Sequence, residues 1–269
     1  MTAGLKTGRY GDGRAEKADV ARAAADTRRQ LKRMDHPASD FDASRYFLGA
    51  DDLDFYNVGT DTMRALARAI HTEHRERWTI DDAVAFADTL IADRYLEVKS
   101  VGIELLACYR RDFRPRLLPI WRRWLARNHS ANWATTDAMC GSLIAPLIVA
   151  HPQLAGRMRE WSRHRNMWVR RASVVSLIPS ARKGLALDIL YDNARTLHRD
   201  EEDLIQKAVG WALREAGKAD VARLERYLRA NGALIPRTTL RYAIERFPEQ
   251  KRQRFLAATR TKTTLRHYP

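Results

Sequence analysis

The segment DLIQKAVGWALREA, residues 203–216, decides how this chain folds. Its apolar residues recur three and four positions apart, which places them on one face of an α-helix. Three other segments begin in the same way, with an apolar residue followed by further apolar residues at helical spacing. The four starting residues are Val98, Val169, Ile205 and Leu240, and they lie 71, 36 and 35 residues apart.

This regular spacing indicates a repeated pair of helices. A period of 35–36 residues with two helices per unit is typical of α-solenoids, in which each unit buries one helix face against its neighbours. The interval of 71 residues equals about two periods, so we expect a further unit within residues 132–150. We therefore predict an all-α fold, an α-solenoid in which one set of helices lines a concave basic groove. An irregular helical bundle with chance similarity is the alternative.

Helix signals dominate between the two ends of the chain, and no segment alternates as a β-strand does. The ends are basic and lack periodicity, so we predict a flexible arm at 1–16 and a tail at 257–269 around a single repeat domain at 17–256. Thr79 is a predicted N-cap, and Pro146 is expected to kink or shorten its helix. Helices are predicted over residues 18–34, 61–74, 80–92, 97–109, 114–127, 133–150, 167–178, 185–197, 203–216, 219–230 and 238–247.

The amino-acid composition favours one class of binding partner. The 269 residues include 48 Lys and Arg against 33 Asp and Glu, a net charge of +15, and 39 of the basic residues are Arg. A guanidinium binds phosphate through two parallel hydrogen bonds, so this charge favours nucleic acid, although a GC-rich genome also favours Arg over Lys. The amino terminus lacks the apolar core of a signal peptide, and no apolar run approaches the roughly 20 residues of a membrane span. Cys108 and Cys140 lie in apolar segments, so we expect a reducing, cytoplasmic location without membrane contact.

Within each repeat helix, the second position after the starting apolar residue lies on the opposite face, toward the groove. Arg171 and Lys207 occupy this position in their units. Trp211 lies four residues after Lys207, on the same face of the same helix. A large aromatic residue on an exposed helix face is unusual, and it marks this face as a candidate binding surface.

The register of the unit at 132–150 has two solutions. A start at Trp133 places Asp137 among the core residues, and a start at Thr135 turns Asp137 toward the groove. A lone buried carboxylate is costly, so we prefer the start at Thr135. This register places Trp133, Asp137, Arg171 and Trp211 on one stripe across three successive units.

One carboxylate lies between two indoles and a guanidinium on this stripe, and each group has a distinct chemical capacity. An indole face attracts cations and packs on the C–H groups of a sugar. A guanidinium holds phosphate, and a carboxylate stabilises positive charge or orients water. Each residue taken singly has an ordinary explanation as a core aromatic or a solvated charge.

Metal-binding patterns are weak. His71 and His74 lie three residues apart without a third metal-type ligand, and the acidic cluster at 51–54 lacks the glycine and spacing of a calcium loop. We predict no metal site and no cofactor.

Three segments carry a resemblance to a known family. WATTD at 133–137, MWVRR at 167–171 and IQKAVGWALRE at 205–215 resemble the AlkD-type DNA glycosylases, which are HEAT-like-repeat enzymes of DNA alkylation repair. The third segment is the most specific. The resemblance covers about residues 40–250 and is weaker before residue 95. RYFLG at 45–49, FYNVG at 55–59 and EVKS at 97–100 also look similar to the family. The resemblance implies HEAT-like repeats and assigns Trp133, Asp137, Arg171 and Trp211 to the catalytic site.

Further residues are expected to contact substrate. Tyr46 matches a tyrosine near the lesion site of the family, and Lys207 and Arg170 are additional predicted substrate contacts. Ala134 stands where the family commonly has an acid, and the segment at 55–59 is a loose version of its counterpart. Both departures leave the choice between small methyl adducts and bulky adducts open.

The resemblance implies a DNA N-glycosylase that hydrolyses the N-glycosidic bond of cationic N3- or N7-alkylated purines and leaves an abasic site. Asp137 is expected to stabilise an oxocarbenium-like sugar, the two Trp to pack against the sugar and backbone, and Arg171 to hold a phosphate. The partner is then double-stranded DNA containing alkylated purines, bound by a monomer. A non-catalytic helical-repeat scaffold that binds DNA or RNA is the alternative, and a protein-binding solenoid is less compatible with the charge.

Overall fold

A computed structural model describes residues 13–37, 47 and 53–258 of the chain. Within these ranges the chain is helical apart from turns and one isolated β-bridge between Asp54 and Tyr95, which confirms the all-α class. The chain divides into two compact units, residues 1–112 and 113–269. The boundary falls inside the predicted domain at 17–256, whose unity as one folding unit stays a prediction.

The helices of the described residues in the first unit are α1 (Gly13–Arg33), α2 (Thr60–His74), α3 (Ile80–Ile91) and α4 (Leu96–Cys108). Thr79 is the N-cap of α3, as predicted. Its side chain accepts from the backbone N–H of Asp82, and the Asp82 carboxylate accepts from the backbone N–H of Thr79, which forms a capping box. Helix α3 packs against α1 and α4, and α4 also packs against α2.

In the second unit, two sets of helices alternate along the chain. The helices of the unit are α5 (Leu118–Ala126), α6 (Trp133–Met139), α7 (Ala145–Ala150), α8 (Met158–Trp161), α9 (Met167–Val175), α10 (Ile178–Ala181), α11 (Leu187–Leu197), α12 (Asp203–Ala216), α13 (Val221–Asn231), α14 (Arg237–Ala243) and α15 (Glu249–Ala258). Helices α6, α9, α12 and α14 pack side by side in chain order, and they form the inner layer. Helices α5, α8, α11 and α13 precede them in turn and form the outer layer, with α8 and α11 packed against each other.

Both ends of the described chain differ from the predicted arm and tail. Helix α1 begins at Gly13, so residues 13–16 of the predicted flexible arm are helical, because Arg, Ala, Glu and Lys are all good helix formers. Helix α15 was not predicted and includes the first two residues of the predicted tail, 257 and 258. Residues 1–12 and 259–269 lie outside the described residues.

The predicted repeat is confirmed by burial. Val169, Ile205 and Leu240 have 0% of their surface exposed, and Thr135 has 1%. Thr135 therefore starts the unit at 132–150, as the preferred register predicted, and Asp137 lies two positions later in the sequence. Because these starts are 34, 36 and 35 residues apart, equivalent positions of α6, α9, α12 and α14 come into register.

The predicted helix over Trp133–Ala150 is interrupted. A π-helical turn at Cys140–Ile144 separates α6 from α7, and Pro146 is the second residue of α7. Proline donates no backbone hydrogen bond and crowds the preceding turn, and a π-turn is one way in which a helix accommodates it. Within the described ranges this is the one stretch with the length and hydropathy of a membrane span, but half of it is buried in the protein, as in the core helix of a soluble protein.

Helices α12 and α14 approach closely at Gly210. A Cβ atom there would lie 2.6 Å from the carbonyl oxygen of Thr239 and would overlap the Cβ of Tyr242. One of these atoms belongs to the backbone and the other is a Cβ, so neither can move away as the end of a flexible side chain could. Glycine therefore sets the spacing between the last two helices of the inner layer.

We expect Gly210→Ala to lower the free energy of unfolding by about 1–3 kcal/mol, because the added methyl group forces α12 and α14 apart. Urea denaturation measures this change. Gly141→Ala is the matched control, since a Cβ at Gly141 meets no atom within 4 Å. Equal stability of the two variants would contradict the close approach.

Candidate functional site

An ion pair between two inner-layer helices forms the centre of the site. The Nε and Nη2 atoms of Arg171 on α9 donate to the two carboxylate oxygens of Asp137 on α6, at 2.8 and 2.7 Å. The Asp137 side chain is 18% exposed and that of Arg171 only 6%. A planar guanidinium bound to both oxygens fixes the plane of the carboxylate as well as its position.

Local hydrogen bonds set where α6 begins. The Asn132 side chain accepts from the backbone N–H of Thr135 at 2.8 Å and donates to the Ser130 carbonyl at 2.7 Å. This N-cap fixes the first turn of the helix, which starts at Trp133. Asp137 follows one turn after Trp133, so the indole and the carboxylate project from the same side of α6.

Arg171 also joins the third helix of the site. Its Nη1 atom donates to the backbone carbonyl of Leu204 in the first turn of α12. All three nitrogens of the guanidinium thus have acceptors within the protein, and they connect α6, α9 and α12. The position of the Asp137 carboxylate depends directly on the packing of these three helices.

Two further predicted residues lie on α12. Lys207 is one turn after Leu204 and Trp211 is two turns after it, so all three project from one side of the helix. The Trp133 and Trp211 side chains are both half-buried. A hydrogen bond to Asp203 at 2.6 Å raises the pKa of Lys207, which keeps its ammonium group charged at neutral pH.

Burial dominates the electrostatics of Asp137. Loss of water around the side chain raises the pKa of the Asp137 carboxyl, and the hydrogen bonds and charge of Arg171 counteract part of this rise. The carboxylate therefore depends on its partner to stay ionised in a poorly hydrated position. The same burial strengthens its interaction with any positive charge that forms nearby.

Arg170 faces a different part of the structure from Arg171. It donates to both carboxylate oxygens of Asp200, at 2.6 and 3.3 Å, and to the backbone carbonyls of His164 and Arg165, at 3.1 and 2.8 Å. Successive residues on a helix point about 100° apart, so neighbouring arginines serve different contacts. Arg170 holds together the turns that precede α9 and α12, and its predicted contact with substrate stays a prediction.

One predicted site residue lies outside the described ranges, and one residue that was not predicted shares the repeat position of the site. Tyr46 lies outside the described residues. Tyr242 on α14 is 37% exposed and occupies the second position after Leu240, equivalent to Arg171 and Lys207 in their units. The repeat rule that selected those two residues also selects Tyr242, which the sequence analysis did not single out.

The family-like segments at 55–59 and 97–100 are joined to each other in the first unit. The Glu97 carboxylate accepts from the backbone N–H of Val58 at 3.2 Å, and the Tyr56 ring stacks on Tyr95 with centroids 3.9 Å apart. Burial raises the pKa of Glu97, and backbone N–H groups at 56–58 counteract part of this rise. These contacts attach the segment at 55–59 to the start of α4.

The described residues contain no group of three or more His, Cys, Asp and Glu side chains placed to hold a metal ion. His71 forms an edge contact with the Tyr109 ring, and His74 stacks on Trp78. The absence of a cofactor stays a prediction.

We expect Arg171→Met to lower the free energy of unfolding by about 3 kcal/mol, because it leaves a largely buried carboxylate without its partner. Adding Asp137→Asn should recover part of that loss, since the amide carries no charge to desolvate. Urea unfolding of the single and double variants measures both effects. Strictly additive losses would show that the two side chains are not coupled.

Comparisons with known proteins identify the family and the fold of the chain. The sequence matches the DNA alkylation repair enzyme family over residues 27–247. A solved structure described as a predicted DNA alkylation repair enzyme from Enterococcus faecalis is similar in fold, with a TM-score of 0.66 and 17% identity over 77% of this chain and 95% of that one. No protein with a curated description matches the sequence. The chain belongs to the DNA alkylation repair enzyme family.

Proposed function

We propose that the protein is a DNA N-glycosylase that releases cationic N3- or N7-alkylated purines from double-stranded DNA and leaves an abasic site. The observation that carries this proposal is the Asp137 carboxylate, which Arg171 holds by two hydrogen bonds in a largely buried position that remains partly open to solvent. Family membership supports a role in DNA alkylation repair.

The carboxylate keeps capacity for water. An ionised carboxylate has about four lone-pair sites, and the two N–H groups of Arg171 use two of them. The remaining sites are available to accept from a water molecule and align it for attack. Asp137 thus has the hydrogen-bonding capacity to orient a nucleophile while its own position stays fixed.

The substrate chemistry fits one carboxylate without a general acid. Alkylation at N3 of adenine or N7 of guanine makes the base cationic, so the bond between C1′ and N9 breaks with both electrons moving to the base. The base leaves neutral, and positive charge develops on the deoxyribose. Water then forms a bond to C1′ and releases its proton to the carboxylate or to solvent.

The indoles supply contacts that a carboxylate cannot. Trp133 lies one turn from Asp137 on α6, and Trp211 lies two turns beyond the Arg171 contact on α12. Their faces pack on sugar C–H groups and attract a cationic sugar. In this proposal they enclose the backbone of the lesion nucleotide, and Lys207 neutralises a nearby phosphate.

Arg171 acts as a positioning residue in this mechanism. Its N–H groups are directed to Asp137 and the Leu204 carbonyl, not to solvent, which differs from the expected grip on a phosphate. Because it counteracts the rise in the pKa of Asp137, it keeps the carboxylate charged. A monomeric state and a cytoplasmic location remain part of the proposal.

We expect Asp137→Asn to slow release of 7-methylguanine from a duplex by about a hundredfold to a thousandfold. A carboxylate about 4 Å from a cationic sugar contributes on the order of 4 kcal/mol at an effective dielectric near 20, and the nearby Arg171 charge reduces this figure. Single-turnover assays at saturating protein, with the freed base identified by mass, measure the rate constant.

Asp188→Asn is the matched control. It removes an acid that is 82% exposed on α11 and pairs with Arg223, outside the site. Its rate constant should equal that of the native protein. Binding without any base release by the native chain would favour the non-catalytic scaffold, and normal release by Asp137→Asn would remove this carboxylate from the mechanism.

The pH dependence follows from the raised pKa of Asp137. Activity requires the ionised form, so the rate constant should fall as pH decreases through a value above the ordinary range of an aspartate. Arg171→Lys keeps the positive charge but loses the two-pronged contact, so it should shift this decline to higher pH. Rates corrected for spontaneous base loss test the shift, and an unchanged profile would contradict the role of Arg171.

A further inference from the structure

Six arginines in the second unit recur at the period of the repeat. Two sets of three are each spaced 36 residues apart, and the two sets are four residues apart along the chain. We call Arg123, Arg159 and Arg195 the inner arginines and Arg127, Arg163 and Arg199 the outer arginines. These names are separate from those of the inner and outer layers of helices.

The six side chains occupy equivalent places in three successive outer-layer helices. The inner arginines lie in α5, α8 and α11, and the outer arginines lie at or just after the carboxyl ends of these helices. Each outer arginine is followed within six residues by the start of α6, α9 or α12. The outer arginines therefore lie in the turns that lead into the site helices α6, α9 and α12.

The turns that carry the outer arginines are joined by hydrogen bonds. Between the first and second turns, Asn166 donates to the Asn128 side chain at 2.6 Å. Between the second and third turns, Arg170 donates to both the His164 carbonyl and the Asp200 carboxylate. Asn128, His164 and Asp200 directly follow the three outer arginines, so the three guanidinium groups extend from neighbouring, fixed positions.

The outer arginines retain their full positive charge. All three are exposed, and none lies within 4.0 Å of a carboxylate in the part of the chain that the structure describes. Of the inner set, Arg159 and Arg195 share the single carboxylate of Asp192, at 3.0 and 3.3 Å. The third turn also carries the acidic run Asp200–Asp203 directly after Arg199, so the excess of positive charge lies along the first and second turns.

A cavity of about 550 Å³ lies between the second and third of these turns. Both arginines of each turn line it, together with Asp192 and His198. The His198 side chain is buried, and its Nδ1 atom has no hydrogen-bond partner among the described residues. Arg159 and Arg195 are paired with the Asp192 carboxylate, whereas Arg163 and Arg199 have no carboxylate partner among the described residues and favour a ligand with oxygen atoms, such as a phosphate group.

The helix ends alone explain only part of this arrangement. A cation near a helix carboxyl terminus contributes about 0.3–1 kcal/mol, whatever its register with the neighbouring helices. The helix-end effect does not require three exposed arginines in register on turns that are bonded to one another. A regular row of cations matches a ligand with regularly spaced anions.

We propose that the outer arginines bind phosphates of one DNA strand beside the lesion site, at intervals of about two or three nucleotides. Neighbouring helices pack about 8–10 Å apart, so three turns span about 16–20 Å, which equals about five or six base pairs at 3.4 Å each. The contact is independent of sequence and sets affinity without touching the reacting sugar. This inference rests on the proposed function for its choice of DNA.

The test is the salt dependence of binding to an undamaged duplex. Each phosphate contact contributes about −0.9 to the slope of log K against log salt concentration. The triple variant Arg127→Gln/Arg163→Gln/Arg199→Gln should therefore flatten the slope by about 2.7, and each single variant by about 0.9. An unchanged slope overturns the proposal. If the unfolding temperature falls while the slope stays unchanged, the arginines stabilise the carboxyl ends of the helices and do not bind DNA.

Arg22→Gln/Arg68→Gln/Arg226→Gln is the matched control, because it removes the same charge from three exposed arginines outside the row that also have no carboxylate partner among the described residues. Its slope should stay within about 0.9 of the native slope, and an equal flattening would reduce the proposal to a general effect of net charge. The binding slope tests the row of arginines even if the native chain releases no base, so the two proposals fail separately.

Discussion

The hydrogen-bonded ion pair between Asp137 and Arg171 is the constraint on which the site depends. Removing two charges from water is costly, and their attraction offsets that cost only when the geometry is good. Good geometry here requires two residues 34 positions apart in the chain to meet with both pairs of atoms within 2.8 Å. Helices α6 and α9 must therefore stack in one register, and the Leu204 carbonyl extends the same requirement to α12.

The adjacent residue, Arg170, fixes the turns between the helices in the same way, by hydrogen bonds across two repeats. It joins the turn before α9 to the turn before α12, while Arg171 joins the helix bodies. Two neighbouring guanidinium groups thus fix both the start and the interior of the repeat. This explains how a site with few residues is held rigid without a metal ion or a disulfide in the described part of the chain.

Much of the fold could be predicted because periodic burial leaves a direct trace in sequence. The spacing of Val169, Ile205 and Leu240 predicted three packed helices, and the cost of burying a lone carboxylate selected the correct start at Thr135. The break at Cys140–Ile144 could not be predicted in this form, since Pro146 is compatible with a kink, a shorter helix or a π-turn. Helix α15 was missed because its apolar pattern is weak, with Phe255 as its one buried residue.

The sequence by itself determined which residues share the inner face: a helical period and a repeat of about 36 residues place Trp133, Asp137, Arg171 and Trp211 on that face wherever the units stack. Only the tertiary structure decided which groups touch. The sequence predicted that Arg171 contacts a phosphate and that Arg170 contacts substrate. In the structure, Arg171 pairs with Asp137 and Arg170 pairs with Asp200. The physical reason is that periodicity fixes the direction of a side chain around its own helix, whereas a hydrogen bond also depends on the distance and offset of the neighbouring helix.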